Sequence, residues 1–151
     1  MKGLIQRVSS AQVSVKDSGG SSHVIGAIDQ GLLLLLGVEK EDDSEKVDKL
    51  LHKILNYRIF SDDEGKMNRS LLDIGGGLLV VSQFTLAAET RKGLRPGFSS
   101  AASPQIAESL YEEFVGKAGY KDEVAVQTGS FGADMQVSLV NDGPVTFLLE
   151  V

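Results

Sequence analysis

The chain has 151 residues, 42% of them apolar and 24% charged, proportions typical of a single globular domain with its own hydrophobic core. Its net charge of −6 argues against broad binding to the backbone of DNA or RNA. The absence of cysteine excludes disulfides, thiolate metal sites and a cysteine nucleophile. No apolar run approaches the roughly 20 residues that span a bilayer, and no signal peptide precedes the first strand. We therefore expect a cytoplasmic domain over residues 1–151, without a membrane partner.

The N-terminal part of the chain predicts a hairpin followed by a buried strand. Apolar and polar residues alternate over 11–16, the period of a half-buried strand, and the Ser/Gly-rich residues 17–22 connect it to a second strand at 23–28. Residues 31–38 are apolar without alternation, which is typical of a central strand covered on both faces.

A helix follows, and after it come a glycine-rich turn and another strand. Apolar residues recur with helical spacing over 47–55, and Asp42 with Glu45 resembles a capping box at the helix start. The triple glycine 75–77 precedes the strand predicted over 78–84 and does not join a strand to a helix. We therefore interpret it as a turn and not as a phosphate-binding loop.

A second helix begins at Ser103, a favourable N-cap, with Pro104 at the first helical position. Apolar residues between 107 and 114 give it one buried face, and Gly116 and Gly119 are expected to end it. Three strands are predicted after it, at 123–127, 135–140 and 145–151. The order of two or three strands, two strand–helix units and three strands predicts an α/β fold. We expect a single domain with a mixed β-sheet and two main helices packed on one side.

Two short segments lie at the ends of predicted strands. The first is Ser82-Gln83-Phe84-Thr85-Leu86, and the second, 141–146, holds Gly143–Pro144 between two strand-like stretches. Proline cannot donate to a sheet ladder, and bonds before proline are the only ones that adopt cis at modest cost. An ordinary tight turn between antiparallel strands is the alternative interpretation. The combination of the two segments favours a site built largely from main-chain groups.

Conventional catalytic side chains are hard to find. The histidines, His23 and His52, belong to no nucleophile or metal motif, so we expect both at the surface and predict no metal or other cofactor. Ser82 and Thr85 carry hydroxyls, but activation of a hydroxyl needs an adjacent base, and the sequence supplies none. The alternatives are that they satisfy local backbone, or that Phe84 and Thr85 donate backbone N–H groups as an oxyanion hole. We rank the oxyanion hole above the nucleophile.

One dense basic patch follows the first segment, in a loop that contains glycine and proline. It consists of Arg91, Lys92 and Arg95. A solvated surface loop is the ordinary interpretation. Its position beside the candidate site favours a contact with phosphate or sugar.

With these segments in view, the chain resembles the D-aminoacyl-tRNA deacylases of the bacterial and eukaryotic type. The resemblance runs from end to end and rests on Gln6–Val8, Gly31–Leu33, Ser82–Leu86, Arg95–Phe98, Phe131–Met135 and Asn141–Thr146. Two departures are Gly97, where the family leads us to expect serine, and the Ser/Gly-enlarged first hairpin. Both concern loops outside the two signature segments.

The resemblance implies hydrolysis of the ester that joins a D-amino acid to the terminal adenosine of tRNA, and of mischarged glycyl-tRNA. It also implies a homodimer in which Gly143–Pro144, in cis, enters the partner subunit's active site and excludes L-amino acids. Arg7 matches a family arginine that steadies this pair, although a surface position on a strand is its alternative. Ser82, Gln83, Phe84 and Thr85 would act mainly through backbone, with the 2′-hydroxyl of the substrate assisting.

Other residues would contact the 3′ end of aminoacyl-tRNA. Phe131 would stack on the adenine, with a core aromatic as its alternative, and Met135 and Asn141 would help to bind substrate. Arg91, Lys92 and Arg95 would meet the phosphates. Two other classes of function stay open at this point: a non-catalytic module that binds an RNA end or a nucleotide, and a serine or threonine hydrolase of simple esters.

Overall fold

The fold consists of eight strands, three α-helices and a short 3-10 helix, in a computed structural model that describes residues 1–151. The strands are β1 (Lys2–Lys16), β2 (Ser22–Ile28), β3 (Gly31–Gly37), β4 (Phe60–Ser61), β5 (Met67–Arg69), β6 (Gly77–Ser82), β7 (Ala125–Thr128) and β8 (Met135–Glu150). The helices are α1 (Ser44–Asn56), α2 (Leu71–Ile74) and α3 (Pro104–Gly119), and the 3-10 helix covers Phe84–Ala87. No helix is long and apolar enough to cross a bilayer.

One mixed sheet organises the molecule around β1. Along one edge, β1 pairs antiparallel with β3 and then with β2; along the other it pairs antiparallel with β8. β6 is parallel to β3, and β7 is parallel to β6. The sheet curls until β2 approaches β7: a Cβ atom on Gly26 would lie 2.7 Å from the carbonyl oxygen of Thr128. The predicted α/β fold with a mixed sheet is confirmed.

The two long helices pack on one face of the sheet, as predicted. The buried face of α1 consists of Val47, Leu50, Leu51, Ile54 and Leu55, the residues that gave the helical spacing. They share one core with Phe114 of α3 and with alternate residues of β3 and β6. The opposite face of the sheet forms a second, smaller core inside the curl. β3 is buried almost throughout, which confirms the prediction of a central strand.

Two predictions about helix ends were wrong. Asp43, not Asp42, caps α1, and its carboxylate accepts the N–H of Lys46. Asp42 is buried and instead binds the amino group of Met1 at 2.6 Å and the N–H of Glu39 at 2.7 Å. Gly116 lies within α3, which continues to Gly119 because a lone glycine weakens a helix without ending it. The predicted start of α3 is confirmed, since Ser103 caps it.

The C-terminal strands also differ from prediction. The stretches at 135–140 and 145–151 belong to one continuous strand, β8, because both pair with β1. Val8 pairs with Asn141 and Gln6 with Thr146, so residues 142–145 bulge outward opposite a single residue of β1. The prediction of three strands after the second helix was therefore wrong. The order also gains the β4–β5 hairpin, α2 and the 3-10 helix, and β6 ends at Ser82 where a strand to Phe84 was expected.

Candidate active site

An apolar cavity of about 500 Å³ lies between the C-terminal end of β6, α3 and the start of β8. Its walls are mostly hydrophobic side chains, with a few polar groups at one end. The lining residues that matter for the chemistry are Ser82, Gln83, Phe84, Tyr111, Phe131 and Met135. The structure therefore brings together three of the five residues of the first signature segment and two residues predicted to bind substrate, Phe131 and Met135.

The first signature segment turns sharply where β6 ends. Gln83 donates its N–H to the carbonyl of Leu36 at 2.8 Å, which fixes the turn to β3. The first bond within the 3-10 helix runs from the N–H of Leu86 to the carbonyl of Gln83. The N–H groups of Phe84 and Thr85 precede that bond, so they have no acceptor within the helix. Phe84 lines the cavity, so these two adjacent backbone donors lie beside it.

The hydroxyl of Thr85 has an amide partner instead of a base. It accepts a hydrogen bond from the side-chain amide of Gln83 at 2.5 Å. Both histidines are exposed, His23 on β2 and His52 on α1, which confirms their predicted place at the surface. No histidine or carboxylate lines the cavity, so nothing on this wall is arranged to activate the hydroxyl of Ser82.

An aromatic wall closes the cavity opposite the turn. The ring of Phe131 lies 5.6 Å from that of Tyr111, centroid to centroid. The hydroxyl of Tyr111 donates to the carbonyl of Val80 at 3.1 Å, and burial raises its pKa to about 12. The sulfur of Met135 accepts the N–H of Ser130 at 3.4 Å. Phe131 is only half-buried, so one part of its ring packs on the core and the rest faces the cavity.

The bulge in β8 presents Gly143 and Pro144 to solvent, and their peptide bond is cis, as the family resemblance implied. Arg7 anchors the bulge from β1. Its Nε donates to the carbonyl of Asp142 at 3.0 Å, and its Nη1 donates to the carbonyl of Ile59 at 2.7 Å. With a side chain only 13% exposed, Arg7 is not a solvated surface residue. The alternative interpretation of Arg7 is therefore wrong.

Asn141 lies at the base of the bulge. Its side chain accepts the N–H of Val145 at 3.1 Å and donates to the hydroxyl of Thr146 at 2.9 Å. It thus ties the two ends of the bulge together. Its predicted contact with substrate stays a prediction.

Within one chain, the two signature segments do not share a cavity. Gly143 and Pro144 do not line the apolar cavity, while Arg7 and Asp142 line a separate polar cavity of about 450 Å³. That second cavity also contains Arg69 and Asp73. The structure of one chain therefore does not place the Gly-Pro pair at the cavity beside the 82–85 turn.

The basic patch is less uniform than its sequence indicated. Arg91 forms an ion pair with Glu89 through two nitrogens, and the hydrogen bonds from Arg91 lower the pKa of Glu89 to about 2. Lys92 and Arg95 are exposed and form no ion pair in the chain. Only these two cations of the patch are free to meet an anion.

The sequence did not predict a role in the site for two of its residues, Tyr111 and Phe98. Tyr111 was predicted only as part of the buried helix face, because helical spacing does not show which end of a core opens into a cavity. Phe98 packs on Phe84 with ring centroids 5.1 Å apart. Its only signal was its place in a family segment, since an isolated aromatic residue in a loop has no periodicity.

Comparisons with known proteins identify the family of the chain. The family model of D-Tyr-tRNA(Tyr) deacylase matches residues 4–150. A D-aminoacyl-tRNA deacylase of Stutzerimonas stutzeri is 64% identical over 151 residues and aligns over 99% of both chains. The D-aminoacyl-tRNA deacylase of Pseudomonas aeruginosa is 63% identical over 150 residues, again over 99% of both chains. One from Pseudomonas putida is 60% identical over 153 residues and 100% of both chains.

Two solved structures share the fold. A protein described as a c-Myc DNA Unwinding Element Binding Protein superposes with a TM-score of 0.90 at 41% identity, covering 100% of this chain and 99% of its own. A probable eukaryotic D-amino acid tRNA deacylase gives a TM-score of 0.81 at 17% identity, covering 99% and 98%, which supports the fold alone. The family model and the curated relatives extend over nearly the whole chain, and the chain therefore belongs to the D-Tyr-tRNA(Tyr) deacylase family.

Proposed function

We propose that this chain hydrolyses the ester between a D-amino acid and the 3′ end of tRNA, releasing both. The observation that carries the proposal is the pair of free N–H donors, on Phe84 and Thr85, at the lip of an apolar cavity in a chain of this family. tRNA is aminoacylated and used in translation in the cytoplasm, so we place this activity there. No cofactor enters the proposal.

The chemistry needs little from side chains because an ester is more reactive than an amide. Water attacks the ester carbonyl, and negative charge develops on the carbonyl oxygen in the transition state. The N–H groups of Phe84 and Thr85 stabilise that oxyanion, while the turn holds the carbonyl in place. The 2′-hydroxyl of the terminal adenosine assists proton transfer. The adenine stacks on Phe131, with Met135 beneath it in the apolar cavity.

Discrimination between enantiomers comes from a second copy of the chain. The carbonyls of Gly143 and Pro144 from that copy face the α-carbon, accept from the ammonium of a D-aminoacyl group and occupy the space of an L side chain. A fixed backbone rejects the L-aminoacyl group through a steric clash, so the site needs no separate pocket for each type of amino-acid side chain. Glycine has no side chain to clash, so glycyl-tRNA is also a substrate.

Three features support the homodimer. The Gly-Pro pair is exposed and does not line the cavity of its own chain. Arg7 anchors the bulge to the body of its own chain, and a segment that inserts into a partner subunit needs such an anchor to keep its shape. β8 pairs only with β1, so its other edge is open, and the exposed apolar side chains Val140 and Leu148 lie along this strand. Open strand edges favour pairing with another chain.

A stereospecific assay tests the proposed function. Purified protein should release D-tyrosine from D-tyrosyl-tRNA and leave L-tyrosyl-tRNA intact. Binding of the tRNA end without release would support the non-catalytic module instead. Rapid turnover of simple esters without tRNA would support the serine or threonine hydrolase.

The oxyanion hole has its own matched pair of variants. Phe84→Pro removes the N–H donor at a position that tolerates proline, the first residue of a helix. Phe84→Ala removes the ring and keeps the donor. We expect Phe84→Pro to have a kcat at least about 100-fold below that of Phe84→Ala, the loss typical of one oxyanion donor. Equal rates would contradict the role of this N–H group.

A further inference from the structure

An exposed aromatic pair continues outward from the lip of the cavity. The side chain of Phe84 lines the cavity, yet 63% of this residue is exposed. Phe98 lies against it, outside the cavity, with the two ring planes inclined at 42° and 39% of Phe98 exposed. Contiguous apolar surface beside a cavity is typical of ligand-binding grooves.

Backbone bonds hold the second ring of this pair in place. Glu89 and Gly97 exchange N–H to carbonyl bonds of 2.7 and 3.1 Å, which close the base of the loop just before Phe98. The N–H of Ala101 donates to the carbonyl of Phe98 at 3.1 Å, and the hydroxyl of Ser100 donates to the carbonyl of Ala87 at 2.6 Å. Phe98 is therefore fixed beside Phe84, although it belongs to a long loop.

The same loop carries positive charge that the protein leaves unpaired. Glu89 neutralises Arg91, but Lys92 and Arg95 are exposed and have no ion pair. The chain as a whole carries a net charge of −6. Two free cations beside two exposed rings are the combination that binds single-stranded nucleic acid, in which bases stack and phosphates meet Lys or Arg.

From this geometry we infer a second nucleotide subsite, one that stacks the base of the nucleotide preceding the terminal adenosine on the Phe84–Phe98 pair. The inference rests on the proposed function, because it assumes that the terminal adenosine occupies the apolar cavity. The subsite adjoins that cavity through Phe84, so the next base along the strand reaches the rings. Its phosphate then faces Lys92 and Arg95. Stacking tolerates any base, so the subsite binds the RNA end without reading its sequence.

The test compares two short substrates, D-tyrosyl-adenosine and the dinucleotide D-tyrosyl-cytidylyl-adenosine. The measured quantity is the ratio of kcat/KM for the dinucleotide to kcat/KM for the nucleoside. Wild type should give a ratio of at least about five, the lower end of what one stacked base contributes. Phe98→Ala should lower the ratio by about fivefold, without abolishing the contribution of Phe84 and the two cations, and Phe98→Trp should preserve it. A lower fraction of active protein reduces both kcat/KM values equally, so it leaves their ratio unchanged.

Leu94→Ala is the matched control, because Leu94 is a fully exposed apolar residue of the same loop. It should leave the wild-type ratio unchanged. A wild-type ratio of one would overturn the subsite, as would Phe98→Ala with an unaltered ratio. If the rings instead met the amino-acid side chain, Phe98→Ala would change the preference between D-tyrosyl-adenosine and D-alanyl-adenosine at a constant ratio, which would also overturn it. No hydrolysis of the dinucleotide by protein that hydrolyses D-tyrosyl-tRNA would overturn the subsite, whereas no hydrolysis of D-tyrosyl-tRNA would contradict the proposed function itself.

Discussion

At the scale of single residues, Arg7 shows why an arginine is needed where a lysine would carry the same charge. Its guanidinium donates in two directions, to the carbonyl of Asp142 in the bulge and to that of Ile59 before β4. A planar fork can satisfy both acceptors at once, whereas an ammonium is a compact charge on a flexible stem. The bulge is thereby tied to the body of the protein.

We expect Arg7→Ala to lower kcat/KM for D-tyrosyl-tRNA by about tenfold or more, because charged hydrogen bonds of this kind contribute more than neutral ones. Arg7→Lys should recover only part of the loss. The ratio of D- to L-tyrosyl-tRNA hydrolysis should also fall, since a loose bulge excludes L side chains poorly. Lys16→Ala, which removes an exposed cation from the same strand, is the control. An unchanged D/L ratio in Arg7→Ala would contradict the anchoring role.

Thr85 tests whether a hydroxyl attacks the substrate. Its side chain is bonded to the amide of Gln83, and its proposed contribution is its N–H group. Thr85→Val keeps the shape and the N–H group, so kcat for D-tyrosyl-tRNA should stay within about threefold of wild type, because the oxyanion donor is preserved. A loss of several orders of magnitude would instead identify a nucleophile.

At the scale of elements, local patterns predicted the helices well and the last strand poorly. Ser103 and Pro104 mark the start of α3 through contacts within a few residues. The continuity of β8 through Gly143–Pro144 depends on its pairing with β1. The two strands are far apart in the chain: the bond between Arg7 and Asp142 joins residues 135 positions apart. No window of neighbouring residues contains that information. The glycine and proline therefore predicted a break in the strand, where the fold makes a bulge.

Gly116 offers a test of helix α3 that is independent of function. It lies inside the helix, and a Cβ atom there would meet nothing within 4 Å. Gly116→Ala should raise the free energy of unfolding by about 0.5–1 kcal/mol, since alanine loses less conformational entropy on folding. Urea denaturation followed by circular dichroism measures the change. Gly119→Ala, at the last residue of the helix, should give a smaller gain, and a loss of stability in Gly116→Ala would contradict the helical assignment.

At the scale of the whole molecule, Asp42 joins parts of the chain that are far apart. Its buried carboxylate binds the amino group of Met1, the N–H of Glu39 and the ammonium of Lys46, while Met1 also donates to the carbonyl of Val151. Burial alone would raise the pKa of Asp42. The hydrogen bonds and charges of its partners outweigh burial, so its pKa is lowered.

A lowered folded pKa means that Asp42 stabilises the protein only while it is ionised. Its contribution is complete above a pH of about 4, the pKa of an aspartate in an unfolded chain, and disappears as the pH falls through the lower folded pKa. Asp42→Asn should lower the free energy of unfolding at pH 7 by about 3 kcal/mol, because the buried amino group of Met1 loses its charged partner. Thermal unfolding at several pH values should show the wild type and the variant converging in acid. A constant difference down to pH 2 would contradict this account.

The site itself was only partly predictable from sequence. The family segments located the 82–85 turn, Phe131 and the Gly-Pro pair, because each segment is a short run of consecutive residues. The structure was needed to show that Tyr111 and Phe131 form one wall, since they come from α3 and from the loop before β8. It was also needed to show that Glu89 neutralises Arg91. The proposed cross-subunit encounter involves two chains, and no residue pattern within one chain specifies how two copies meet.

Mixing two variants, each defective in a different half of the proposed site, tests the central claim most directly. Gly143→Ala distorts the bulge, because its Cβ atom would lie 2.6 Å from Cγ2 of Val145 at a φ of +132°. Phe84→Pro disables the catalytic turn and leaves the bulge intact. In a mixed dimer, one of the two sites combines an intact turn with an intact bulge from the other subunit.

After subunit exchange at equal concentrations, half of the dimers are mixed, and roughly a quarter of all sites are intact. We therefore predict that mixing raises the rate on D-tyrosyl-tRNA by about a quarter of the wild-type rate, with no matching rise in the hydrolysis of L-tyrosyl-tRNA. Mixed dimers that form but stay inactive would contradict the claim that each chain guards the active site of its partner.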